Sequence, residues 1–147
     1  MARTETDERR AVQKIALVAS AVFALVGIAG FVPGLTTNHD GLMFAGHESH
    51  AMLLGVFAVS VLHNIVHLAF AVVGFLMSRT VDGAHRFLIG GGAVYLVLFV
   101  YGLVFGHSTD LNFVPVNPAD NWLHLFLGAG MIFLGRAAGR GHGTHRR

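Results

Sequence analysis

This chain of 147 residues is 54% hydrophobic and only 12% charged, whereas a typical soluble domain is about 25% charged. It contains no cysteine, which excludes disulfides, thiolate metal sites, iron–sulfur ligation and covalent haem attachment through a C-x-x-C-H motif. The net charge is +2, and the basic residues flank apolar segments. This distribution favours orientation signals and contacts with anionic lipid headgroups over nucleic-acid binding.

Four apolar runs, separated by short polar segments, dominate the chain. They are apolar on every face and hold roughly 18–25 residues, enough to cross a hydrocarbon core about 30 Å thick. In such a core every backbone polar group needs an internal partner, so the runs are predicted to be helices. The predicted transmembrane domain covers 13–138, with spans at about 13–32, 51–77, 86–106 and 119–138.

The first half of the chain is predicted to form a helix, a long loop and a second helix. Residues 1–12 are a charged cytoplasmic segment, frayed or folded as a short interfacial helix. The first span ends before Pro33-Gly34, because this pair typically breaks a helix. The loop 33–50 is too long for a tight turn and contains apolar residues, so we expect it to fold back on the bundle. The second helix is predicted to begin near Ser49, a suitable N-cap.

The second half repeats this layout with a shorter loop. The third helix is predicted to run from about Arg86 to Phe105, and its glycines permit close approach of a neighbouring helix. Asn117 suits the N-cap of the fourth helix and Pro118 its first position. The residues after this helix, 139–147, are predicted to form a basic cytoplasmic tail.

The distribution of charge predicts how the helices are oriented. All ten Lys and Arg residues lie outside the loops 33–52 and 106–120. Cytoplasmic loops collect Lys and Arg because translocating these residues is unfavourable. Both termini are therefore predicted to be cytoplasmic, in a multi-pass protein of the plasma membrane.

An internal repeat relates the second and fourth helices. At an offset of 57 residues, the segment NIVHL at 64–68 matches NWLHL at 121–125, and Arg79 matches Arg136. The match predicts two tandem helical hairpins related by an axis along the membrane normal. The predicted fold is therefore an all-α bundle of four transmembrane helices.

The repeat also predicts a polar layer inside the bundle. The matched histidines precede their arginines by twelve residues, about 18 Å along a helix, so they should lie at one level. The asparagine three residues before each histidine shares its helix face. His63 faces the same way, and its repeat equivalent is Asp120, which predicts a pair between these two side chains. The layer consists of His63, Asn64, His67, Asp120, Asn121 and His124.

Three interpretations of this layer remain open. In the first, the side chains form hydrogen bonds across helices and fix the register of the bundle. In the second, His67 and His124 are the axial ligands of a b-type haem. In the third, His63, His67, His124 and Asp120 line a path for protons or ions, because ionisable groups inside a membrane are functional candidates. The first interpretation is favoured because an asparagine near each histidine already explains its burial.

Further histidines lie in the predicted outer loops. His39, His47 and His50 cluster with Asp40 and Glu48, and His107 lies near Asp110. His47 and His50 are three residues apart, whereas the H-E-x-x-H motif of metalloproteases needs a separation of four. A zinc or copper site in these loops is the alternative to ordinary solvated histidines, which we favour.

Three segments carry a resemblance to a known family: GFVPGLTT at 30–37, SVLHNIVHL at 60–68 and NFVPVNPADNWLHL at 112–125. They resemble a bacterial, actinobacterial-type family of four-helix membrane proteins, DUF4383, a domain of unknown function. The resemblance extends from about Ala11 to Arg140. It implies the fold and the bacterial plasma membrane, and it implies no activity, cofactor or catalytic residue.

The sequence thus predicts a small integral membrane protein that is non-enzymatic and acts through helix packing or partner contact. Its expected partners are the lipid bilayer and either another membrane protein or further copies of itself, and no cofactor is expected. The first alternative is a redox protein that binds haem b or a metal. The second alternative is a small transporter or proton pathway.

Overall fold

Four long helices account for most of the chain. The computed structural model describes residues 2–46, 48–106 and 111–138, with side chains from position 10 onward. The helices are α1 (Ala2–Ala29), α2 (Val61–Met77), α3 (Val81–Phe105) and α4 (Pro118–Ala137). Three two-residue strands follow α1 in the chain, β1 (Thr36–Thr37), β2 (Met52–Leu53) and β3 (Phe57–Ala58), with a short 3-10 helix at His39–Gly41. The prediction of a mostly helical chain with four helices is confirmed.

The helices pack as two antiparallel hairpins. The most extensive contacts join α1 to α2 and α3 to α4. The direction is antiparallel because Gln13, near the start of α1, donates a hydrogen bond to the carbonyl of Ser78 after α2, at 3.0 Å. We call the end of the bundle with the α2–α3 turn (78–80) the turn end. The opposite end, with residues 30–60 and 111–117, is the loop end.

The second helix begins later than the sequence predicts. The predicted start near Ser49 and the span 51–77 were wrong, because α2 begins at Val61 with Ser60 as its N-cap. Residues 51–60 instead form an antiparallel sheet in which β2 pairs with β1 and β3. Leu54 and Gly55 make the turn between β2 and β3 with positive φ angles of 53° and 70°. Ser49 does not cap a helix, since its hydroxyl donates to the Val59 carbonyl.

The first and third helices begin earlier than predicted. The segment 1–12 is not separate from the first span, because α1 runs without interruption from Ala2. No glycine or proline interrupts this charged stretch, and its Ala, Glu and Arg residues have high helix propensity. The third helix begins at Val81, where Thr80 caps it by accepting a hydrogen bond from the amide of Gly83.

The bundle places small and polar side chains inside and large apolar ones outside. The buried residues of α2 are two histidines, an asparagine, an alanine and a glycine, whereas Ile65, Val72 and Phe75 on its outer face are about half exposed. Leu25 of α1 and Phe133 of α4 are 68% and 70% exposed. Arg10–Ala29 and Val81–Phe105 are long and apolar enough to cross a membrane, and α2 is a shorter apolar helix.

Candidate functional site

Three histidines of the predicted layer come together inside the bundle. The rings of His63 and His67 stack one helical turn apart on α2, with centroids 4.6 Å apart and planes 8° apart. His124 of α4 lies beside them, with its ring centroid 6.5 Å from that of His63. All three side chains are buried, none more than 7% exposed. The structure thus brings together residues that the repeat predicted to share one level.

Two aromatic rings that the sequence analysis did not single out complete this cluster. Tyr95 of α3 is 1% exposed, and its ring centroid lies 5.4 Å from that of His124 and 6.5 Å from that of His67. Phe23 of α1 stacks on Tyr95 at 5.4 Å and lies 5.9 Å from His67. We call His63, His67, His124, Tyr95 and Phe23 the aromatic cluster.

The hydrogen bonds of the cluster leave several polar atoms without a partner. His67 Nδ1 donates to the carbonyl oxygen of His63 at 3.0 Å, because a carbonyl can only accept. This bond fixes the tautomer of His67 and leaves its Nε2 as an acceptor. By contrast, Nδ1 of His63 and Nδ1 of His124 are buried with no hydrogen-bond partner among the described residues. Such atoms usually mark a place where water or a ligand binds.

The two asparagines of the layer pack against glycines of their own hairpins. A methyl group at Gly30 would overlap the side-chain amide of Asn64, and one at Gly102 would overlap that of Asn121. Asn64 Nδ2 and Asn121 Oδ1 have no hydrogen-bond partner within the described part of the chain. Each asparagine therefore occupies a notch that only glycine leaves open.

Asp120 does not pair with His63, and this part of the prediction was wrong. Its carboxylate accepts hydrogen bonds from the amides of Ala58 and Asn117, both at 3.0 Å. The amide of Asp120 in turn donates to the Asn117 side chain, which completes a capping box at the start of α4. Because Asp120 is needed at the helix terminus, it connects α4 to strand β3 instead of joining the histidines.

A cavity of about 210 Å³ adjoins the three histidines. Its walls are Leu62, Val66 and Phe70 of α2, Val94 and Leu98 of α3, and Phe113 and Val114 of the loop end, with Tyr95 and the histidines at its base. Pockets for drug-sized ligands are typically about 300–1,000 Å³. This cavity has room for several water molecules or a small ligand next to the unpartnered imidazole nitrogens.

The loop histidines form no metal site in the part of the chain that is described. His39 Nε2 lies 3.2 Å from the carbonyl oxygen of Phe31, so this side chain holds the loop onto the end of α1. His47, His107 and Asp110 lie outside the described residues.

A second repeat offset relates the first and third helices. Gly30 and Gly102, which receive the two asparagines, are 72 positions apart, and so are Phe23 and Tyr95. The offset differs from the 57 residues between α2 and α4 because the first loop is 15 residues longer than the second by this alignment. A search of the sequence at this second offset would have drawn attention to Tyr95.

A comparison with family profiles finds a match that covers most of this bundle. The profile described as a domain of unknown function, DUF4383, matches residues 13–137. The chain belongs to the DUF4383 family. The match includes the polar layer, the aromatic cluster and both glycine notches, so these features all lie within the DUF4383 domain. No curated protein and no solved structure matches the chain.

Proposed function

We propose that this DUF4383 protein is a multi-pass integral membrane protein with both termini in the cytoplasm. The observation that carries the proposal is the burial pattern of α2, which encloses His63, Asn64 and His67 and turns its large apolar side chains outward. In water this arrangement would expose a large apolar surface. In a bilayer it is favourable, because lipid covers the apolar side chains and the bundle shelters the polar ones.

The arrangement of charge supports the proposed orientation. The turn end carries Arg79 and Arg86, and Lys14 and Arg136 lie on the parts of α1 and α4 nearest to it. The loop segments 33–46, 48–60 and 111–117 contain no Lys or Arg. An excess of basic residues at one end identifies the cytoplasmic side of short membrane loops.

We further propose that the protein is non-enzymatic and acts through packing and partner contact. Two pairs of contacts support this role. Asn64 and Asn121 occupy glycine notches within each hairpin, and Phe23 stacks on Tyr95 between the hairpins. Small residues that let helices approach closely are the usual basis of association in a membrane. The result is a rigid bundle whose apolar outer face is available to a membrane partner.

The orientation can be tested by labelling single cysteines, since the chain has none of its own. His50→Cys places a thiol on an exposed position of the loop end, and Asp82→Cys places one at the turn end. We expect a membrane-impermeant maleimide to label His50→Cys in intact cells and Asp82→Cys only after permeabilisation. Labelling of both variants in intact cells, or recovery of the protein in the soluble fraction, would contradict the proposal.

A second candidate function is binding of a b-type haem by His67 and His124. The hydrogen bond from His67 Nδ1 to a backbone carbonyl favours it, because histidines that bind metals usually donate their other ring nitrogen in this way. The cavity beside the histidines, about 210 Å³, is small for such a group, so the hairpins would have to separate to admit it.

Absorption spectra of protein purified in mild detergent from a haem-replete host test this candidate. A stoichiometric Soret band that is lost in His67→Ala and in His124→Ala would establish haem binding and replace the non-enzymatic proposal. A colourless protein would exclude the haem candidate and leave the packing role.

A further inference from the structure

Two apolar grooves run along the outside of the bundle, one on each side of the contact between the hairpins. The first groove lies between α2 and α3 and has a volume of about 360 Å³. Phe70, Val73 and Met77 form one wall, and Phe87 and Gly90 form the other. The only charged residue that lines it is Arg86, which lies at its turn end.

The second groove lies between α1 and α4 and has a volume of about 420 Å³. Ile15, Val18 and Val22 form one wall, and Leu127 and Leu134 form the other. Its only charged lining residue is Lys14, again at the turn end. Each groove therefore combines an apolar channel with a single cation at the same end of the bundle.

The internal repeat relates these two grooves residue by residue. Lys14 and Arg86 are 72 positions apart, as are Val22 and Val94, while Met77 and Leu134 are 57 positions apart. With the exception of Val66, every lining residue of the first groove has its repeat equivalent among those of the second. The side chains themselves differ, for example Gly90 and Val18, so the same apolar shape and the same charge recur on different residues.

We propose that each groove binds one molecule of an anionic phospholipid. An acyl chain would lie in the groove, and the phosphate would contact Arg86 in the first groove and Lys14 in the second. From Arg86 to Val94 the groove wall rises about 12 Å along α3, which accommodates the part of an acyl chain nearest the headgroup. Both cations are exposed, and basic residues at the cytoplasmic surface attract anionic lipid.

The inference rests on the proposed membrane location, and the two can fail separately. Native mass spectrometry of the full chain in detergent measures lipid binding directly, whereas cysteine labelling measures location. Phosphatidylglycerol and phosphatidylcholine with the same acyl chains are the probes. We expect two phosphatidylglycerol molecules to be retained and phosphatidylcholine to bind on the order of fivefold more weakly at each site, the usual effect of one basic residue on an anionic lipid.

Charge variants assign the sites. Arg86→Gln should remove one retained phosphatidylglycerol, Lys14→Gln should remove the other, and the double variant should retain neither. Arg79→Gln is the matched control, because Arg79 is an exposed arginine at the turn end that stacks on Phe75 and does not line either groove. If Arg79→Gln weakens binding as much as Arg86→Gln does, the interaction is a general charge effect and the proposal is wrong.

Groove-filling variants test the acyl-chain part without changing any charge. A side-chain atom at Gly90 or at Gly130 meets nothing within 4 Å, so Gly90→Leu fills the first groove and Gly130→Leu the second. Each should lose one lipid while Arg86 and Lys14 stay in place. Equal binding of the two lipids, unchanged binding in these variants, or a dimer of the chain that Gly90→Leu disrupts would overturn the proposal. If a leucine variant fails to fold, the charge variants decide.

Discussion

The ring of Phe23 stacks on the ring of Tyr95 at the centre of the bundle, with centroids 5.4 Å apart and planes 16° apart. Phe23 belongs to the first hairpin and Tyr95 to the second, and they occupy equivalent positions of the repeat. Equivalent residues meet only where a two-fold axis passes between them, so this contact locates the axis of the internal symmetry. His67 and His124 lie beside the two rings, each next to the aromatic residue of its own hairpin.

Replacement of Tyr95 should therefore weaken the contact between the hairpins. We expect Tyr95→Ala to lower the free energy of unfolding by about 3 kcal/mol, because it removes a fully buried aromatic ring. Tyr95→Phe keeps the stack and makes the two halves alike, so it should stay within about 1 kcal/mol of the wild type. Equilibrium unfolding in mixed micelles measures both values. A loss in Tyr95→Phe as large as that in Tyr95→Ala would show that the hydroxyl, not the stack, is important.

The glycine notches predict a pair of compensating substitutions. Gly102→Ala should destabilise the protein by about 1–3 kcal/mol, because the new methyl group overlaps Asn121. Adding Asn121→Ala should recover part of that loss, since it removes the atoms that are overlapped. The matched control is Gly90→Ala, a helical glycine facing open space, which should be neutral or stabilising by about 0.5–1 kcal/mol.

Thermal melting of the four proteins in one detergent measures this coupling. If Gly102→Ala and Gly90→Ala melt alike, Asn121 does not occupy the notch. Gly30 and Asn64 offer an independent repetition of the experiment in the first hairpin, where the same overlap occurs.

Asp120 predicts how the loop-end sheet is held to the bundle. Its carboxylate accepts from the amide of Ala58 in β3 and from the amide of Asn117 at the helix cap. Asp120→Ala should therefore cost about 1–2 kcal/mol and free the sheet, whereas Asp120→Asn keeps one oxygen acceptor and should lose less. Hydrogen–deuterium exchange of residues 51–60 measures the release. Unchanged exchange in Asp120→Ala would mean that other contacts hold the sheet in place.

The parts of the fold that the sequence predicts well are those with local chemical signals. Asn117 and Pro118 correctly mark the start of α4, because capping needs particular side chains at fixed positions. The start of α2 was missed because residues 51–59 are apolar at almost every position. A short apolar run of this kind does not distinguish a buried strand from a helix. Ser60, the true N-cap, lies within the apolar run.

The candidate site was predicted only where the repeat is visible at one offset. The match between α2 and α4 indicated that His67 and His124 share a level, and the structure brings them into one cluster. The same match wrongly paired His63 with Asp120, because equivalent positions were assumed to have equivalent roles. Phe23 and Tyr95 were missed since ordinary aromatic residues in apolar helices give no signal until their contact is seen.

The last prediction separates the polar layer from the determinants of orientation. Replacing both His67 and His124 with Leu should leave the orientation intact, because flanking basic residues and the apolar runs determine it. In this background, His50→Cys and Asp82→Cys should label as they do in the otherwise unchanged chain. The contrasting variant is Arg79→Glu with Arg86→Glu, which removes both basic residues of the α2–α3 turn and should disturb the labelling pattern. An inverted or lost span in the leucine variant would mean that the buried histidines themselves guide insertion, which neither their burial nor their contacts predict.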